Sequence, residues 1–155
     1  MEKNFEIIRK TRQYLVRIAD ELTQGQLNAI PEGFNNNIVW NLGHVIAAQQ
    51  GVCYMRGGLP ILIEGELFGR YRPESKPSGL VNEAEVQQLK ELLFSTIDNL
   101  EQDLRSNKFD GYIPWQTRYG VTINNIEDAV SFLSFHDGLH IGYIMALRRA
   151  VKGQF

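Results

Sequence analysis

Apolar residues recur at helical spacing in four stretches of this chain. In residues 3–24, Phe5, Ile8, Leu15, Ile18, Ala19 and Leu22 share one stripe, while Lys3, Lys10, Arg17 and Asp20 lie largely elsewhere. That is the pattern of an amphipathic helix. The segment GQLNAIPEGF then breaks it with Gly25, Pro31 and Gly33. A second helix is expected from Asn35 to Asn37, which all cap well, to about Arg56. A third runs from about Asn82 to Asn107, its stripe made by Val86, Leu89, Leu93, Phe94, Ile97, Leu100 and Leu104. A fourth runs from about Thr122, a candidate cap, to Val151, with Glu127 and Asp128 in its first turns and Gly153 beyond its end.

The connections differ in kind. Residues 57–81 are rich in Gly and Pro, carry no sustained helical period, and are too long for a tight turn between antiparallel neighbours. The segment KFDGYIPWQTRYGVTINN, before the fourth helix, suggests a small β-hairpin or an extended arm. Four long helices with one long crossover predict an all-α fold, a four-helix bundle, as a single domain over residues 1–155.

Charge and composition narrow the function classes. The formal net charge is -2, which gives no electrostatic footprint for nucleic acid. No apolar run is long enough to span a bilayer, and the N-terminal MEKNFEIIRK lacks the apolar centre of a signal peptide. The single cysteine, Cys53, excludes an intrachain disulfide and fits a reducing compartment, so a cytoplasmic location is expected.

The chain has three histidines, and two of them, His136 and His140, are four residues apart in FHDGLH. On a helix such a pair lies about 40° apart around the axis, one turn up, and can grip one ion. Leu133 and Tyr143 share their face. The third, His44, sits near the middle of the second helix, as the pair sits near the middle of the fourth. Trp40, Ala47, Ala48 and Gly51 lie on its side and would leave a hollow opposite the pair. Ordinary core histidines are the competing explanation, but spacing, depth and setting together favour a metal site. Three neutral imidazoles suit zinc, nickel, copper or iron better than magnesium or calcium. Three protein ligands leave a coordination position open, as in a catalytic site. Cys53 is about 180° around the helix from His44 and should face away.

Neighbouring residues carry weaker signals. Asp137 points about 100° away from His136, as either a solvated aspartate or a group that orients a histidine. Asn41, one turn before His44, and Trp40 are candidate substrate-binding residues. The aromatic segment from Trp115 to Tyr119 is a candidate cover for the open end of the site. Ser134, Gly138, Gly142 and Ala146 form a small-residue face on the fourth helix, suited to a neighbouring helix or a dimer partner.

The histidine in an NLGH setting, the long loop LFGRYRPESKPSGL and the late HDGLHIGYI stretch resemble the DinB-like superfamily of small four-helix metalloproteins. The family pattern of one histidine in the second helix, HxxxH in the fourth and a glycine two residues later falls here on His44, His136, His140 and Gly142. The resemblance implies an up-down-down-up bundle whose crossover joins parallel second and third helices. It also implies a divalent metal, commonly zinc or nickel, and a homodimer. Family members with assigned chemistry include transferases and isomerases that use low-molecular-weight thiol cofactors. DNA binding does not follow from the family's name.

The expected function is therefore a metal-dependent enzyme acting on a small-molecule substrate, with no nucleic-acid or membrane partner. The open position would hold the thiolate of a small cofactor in a transferase, or water in a hydrolase. Family analogy leans toward the transferase. The alternative is a non-catalytic metal-binding or dimeric interaction module.

Overall fold

Local capping chemistry sets most of the helix ends in the computed structural model, which describes residues 1–153. The first helix, α1 (Glu2–Asp20), buries Phe5, Ile8, Leu15, Ile18 and Ala19. It stops at Asp20 rather than at 24 because Thr23 opens a separate short helix, α2 (Gln24–Asn28), inside the segment expected to be a break. Thr23 and Gln26 there satisfy each other's backbone N–H groups as a capping box.

Helix α3 (Ile38–Gln49) is capped by the Asn37 side chain, which accepts from the Trp40 N–H at 2.8 Å. All of its residues are buried, as expected for a helix with little polar character. The chain then widens into a π-helix, Gln50–Met55, a change that apolar periodicity does not register. The crossover is not wholly irregular either. It contains a two-turn helix, α4 (Gly65–Tyr71), which buries only Leu67 and Tyr71. Two apolar positions among glycines and prolines are too few to show a period.

Helix α5 (Glu83–Arg105) is capped by Asn82. The expected hairpin follows: β1 (Trp115–Gln116) pairs antiparallel with β2 (Thr122–Ile123), Trp115 opposite Ile123. Its turn needs Gly120, whose φ of 80° is left-handed. Thr122 is thus a strand residue and not a cap. Helix α6 (Ile126–Val151) starts at Asn125, whose side chain accepts from the Asp128 N–H at 2.8 Å.

Side-chain pairs between the long helices fix their directions. Arg9 meets Asp98 and Glu101 while Lys90 meets Asp20, so α1 and α5 are antiparallel. Asn4 meets Ser131, Arg12 meets Asp137 and Glu21 meets Arg148, so α1 and α6 are parallel. Gln49 meets Thr96 and Tyr54 meets Asp103, so α3 with its π-helical extension runs parallel to α5. The order is up-down-down-up, as the resemblance implies.

A polar layer divides the core. Leu15, Leu42, Ile46, Leu89, Leu93, Ile144 and Leu147 belong to one apolar cluster. Phe5, Ile8, Cys53, Ile97, Leu100, Val130 and Leu133 belong to the other. Between them Arg12, Gln49, Thr96 and Asp137 are all buried. Arg12 donates from Nε to Asp137 at 3.0 Å, and from Nη1 to the Gln49 side chain and the Leu93 carbonyl, both at 2.8 Å. Gln49 in turn donates to the Thr96 carbonyl. The layer ties α1, α3, α5 and α6 together at one level. Among the described residues, no helix is long and apolar enough to cross a membrane.

Candidate metal centre

The bundle brings His44 from α3 and His136 and His140 from α6 to one point. One ring nitrogen from each lies within 4.8 Å of the others, and the three form a group able to hold a metal ion. His44 is buried and the other two are half-buried. The depth and spacing read from the sequence meet here.

Two of the rings are oriented by groups that the sequence could not place. The Nδ1 of His44 is 2.8 Å from the Tyr71 carbonyl. A carbonyl only accepts, so Nδ1 carries the proton and Nε2 keeps its lone pair. The Nδ1 of His140 is 2.8 Å from Oδ1 of Asn41. The Asn41 amide nitrogen is already donating to Asn36 and to the Asn37 carbonyl, so its oxygen must face the histidine, and the same tautomer follows. His136 differs: its Nδ1 is buried without a hydrogen-bond partner, as is Oδ1 of Asp137, and the two are 3.9 Å apart. Trp40 stacks on His44, with ring centroids 4.6 Å apart and planes at 11°. Its indole N–H donates to Ser75.

Gly43 makes the Tyr71 contact attainable. A Cβ there would lie 2.3 Å from the Tyr71 ring, well inside van der Waals contact. The tyrosine hydroxyl is meanwhile tied to Glu85 at 2.6 Å, so the ring cannot simply swing aside. Gly43→Ala is expected to destabilise the fold by roughly 1–3 kcal/mol through overpacking. It should also weaken metal binding by displacing the Tyr71 carbonyl. Urea denaturation and a zinc titration of the variant measure the two effects.

Burial favours the neutral form of two of the imidazoles, His44 and His140. It pushes His44 down to about 4, with the charges of His136 and Arg118 adding to the effect against the Tyr71 carbonyl. It pushes His140 down to about 3, helped by His136 and His44 and opposed by Asp137. Above the ordinary value of 6.5 both are neutral, folded or unfolded. As pH falls through 6.5 toward 4, the unfolded chain takes up protons that the folded chain refuses. Stability of the metal-free protein is therefore expected to drop over that window. Melting temperatures of chelator-treated protein at pH 7 and 5 measure the drop, and His140→Ala should show a shallower one.

Asp137 is an interior group, not a solvated one. Burial alone would raise its carboxyl, but the Arg12 guanidinium and His136 more than offset this and hold it below the ordinary carboxylate value. Cys53 is fully buried in the apolar cluster beyond the polar layer, where burial pushes its thiol up. It is not one of the clustered ligand residues.

The histidines open onto a cavity of about 1140 Å³. Trp40, Ala48 and Gly51 line it as the hollow predicted, whereas Ala47 is turned into the core. Trp115, Thr117, Arg118 and Tyr119 of the hairpin form one wall. A family model described as the DinB superfamily matches residues 7–144. The chain belongs to the DinB superfamily. Comparison with curated proteins gave no significant match.

Membership accounts for the helical fold and sets the three histidines in a family context. Sequence reading missed Arg12, Gln49, Thr96 and the Tyr71 carbonyl. Arg12 alone left a signal, since it occupies the apolar stripe of α1 between Ile8 and Leu15.

Proposed function

We propose that His44, His136 and His140 bind one divalent metal ion, zinc or nickel, and that the protein is a metal-dependent enzyme acting on a small molecule in the adjoining cavity. The observation that carries this reading is the fixed tautomer of two of the rings. Tyr71 and Asn41 occupy the Nδ1 positions, so Nε2 of His44 and of His140 is free to ligate. A core histidine would also satisfy its ring N–H, but here the ligand atoms of three rings also converge to within 4.8 Å of one another beside a large cavity. When bound, the metal supplies Lewis acidity and lowers the pKa of a water or thiol beside it.

The chain's own residues do the rest. Asn41, whose amide is fully engaged, serves the histidine more than a ligand. Trp40 holds the His44 ring and forms part of the cavity lining. The hairpin from Trp115 to Tyr119 narrows the mouth. A thiol-dependent transferase and a hydrolase both fit these parts, and the family leans toward the first. The open cavity beside the histidines favours an enzyme over a metal-binding module.

A homodimer belongs to the same reading. A Cβ at Gly138 or Gly142 would meet no atom within 4 Å among the described residues. Phe135, Leu139 and Met145 beside them are exposed, a surface that a second copy would cover.

The test is turnover by zinc- or nickel-loaded protein of aryl electrophiles with added thiol, and of aryl esters without it. Activity in either set, absent from His140→Ala, is expected. Chelation should remove activity while circular dichroism stays helical, because two apolar clusters and the polar layer hold the bundle without metal. Unfolding on chelation would instead make the metal structural.

A further inference from the structure

The charge of the cavity is opposite to that of the chain. The protein carries a net -2, yet the cavity is lined by two arginines, Arg56 and Arg118, against one carboxylate, Glu74. Elsewhere Arg9, Arg12, Arg70, Arg105 and Arg148 each reach a carboxylate, while Arg17, Arg72 and Arg149 point into solvent away from the cavity lining. Neither cavity arginine has such a partner among the described residues.

The Arg56 side chain is held against an aromatic ring, and Arg118 is carried by an ordered backbone turn. Arg118 sits in the hairpin turn, which is closed by the Thr117 N–H to Val121 bond at 2.8 Å and the Gly120 N–H to Thr117 bond at 3.0 Å. Its charge is close enough to act on His44. Arg56 follows the π-helix, and its guanidinium lies 5.4 Å from the centroid of the Trp115 ring. Its carbonyl accepts from the Ile113 N–H at 2.8 Å, tying it to the chain entering the hairpin. The same cavity that holds these exposed cations and the histidines is lined by Trp40, Trp115, Phe132 and Tyr143.

We propose that the cavity takes a small molecule with an aromatic or branched apolar body and one anionic head group, a carboxylate or a phosphate-type oxyanion, held at the rim by Arg118 with Arg56 beside it. This rests on the reading of the cavity as the substrate site. A guanidinium offers a fork of N–H donors matched to such oxygens. In a largely apolar pocket a few polar groups of this kind fix orientation. The head group keeps part of its hydration at the rim, so the desolvation cost that burdens a buried ion pair is small. The apolar body lies along the aromatic wall with its far end at the histidines.

Both tryptophans of the chain line this cavity, so their fluorescence reports binding. The test titrates 3-phenylpropionate, phenylphosphonate and the neutral 3-phenylpropionamide into the full chain, with and without zinc. Parent, Arg118→Ala and Arg56→Ala/Arg118→Ala are compared, and metal content is measured on the same samples. Binding of at least one anion about tenfold more tightly than the amide is expected in the parent, with the preference lost in Arg118→Ala. Which anion binds more tightly identifies the head group. Equal binding of all three probes, or an anion preference that survives in the double variant, overturns the proposal. A preference lost with the arginines in protein that takes up no zinc upholds this inference and removes the metal reading. Zinc uptake without the preference does the reverse.

Discussion

Asp137→Ala is expected to lower the stability of the fold by about 3–5 kcal/mol, read from urea denaturation followed by circular dichroism. The loss comes less from a missing attraction than from what remains. Arg12 is fully buried, and its Nη2 already lacks a partner. Without the carboxylate, a guanidinium charge stands in the bundle interior with only neutral acceptors. A second substitution separates the two roles of the aspartate. Arg12→Met combined with Asp137→Leu removes both charges and fills similar volume, so much of the stability should return. Metal affinity should not return with it. Nδ1 of His136 lies 3.9 Å from the Asp137 carboxylate, too far for a direct hydrogen bond. Under the proposed metal reading the carboxylate steadies the ring by its charge, and its loss is expected to cost about tenfold in affinity, the low end for such partners. Full zinc affinity in the double variant would assign Asp137 to the core alone.

His140→Ala is expected to abolish stoichiometric metal binding while helical content stays near that of the parent. The substitution leaves Oδ1 of Asn41 without its partner at 2.8 Å, a cost of about 1–3 kcal/mol for a buried acceptor. That is smaller than the effect at Asp137, because the site opens onto a cavity that water enters. The pairing of a large loss in metal binding with a small loss in stability distinguishes a ligand from a core histidine. Retention of full metal content would remove His140 from the ligand set.

The parts legible in the sequence are those encoded by spacing along one helix. His136 and His140 declare themselves by their four-residue interval, and the amphipathic stripes place the four long helices to within a few residues. Longer-range facts were not legible. Nothing near His44 announces that the Tyr71 carbonyl, twenty-seven residues on, will fix its tautomer. Arg12 was legible in principle, as a charged residue on the apolar stripe of α1. Its meaning depends on Asp137, which adjacency to His136 left balanced between surface and interior. Errors at helix ends were competitions between neighbouring caps. Asn125 caps α6, while Thr122 is drawn into the hairpin by pairing with Gln116. The π-helix after Gln49 and the short α4 bury too few apolar residues in register to imprint a period.

The central claim is that three histidines from two helices share one metal ion. Elemental analysis of untagged protein purified without chelator, beside the His44→Ala variant, tests it most directly. About one equivalent of zinc or nickel in the parent and almost none in the variant is the predicted result. A parent that carries no metal and takes up neither zinc nor nickel when they are added would contradict it, leaving the histidines as residues of the bundle interior.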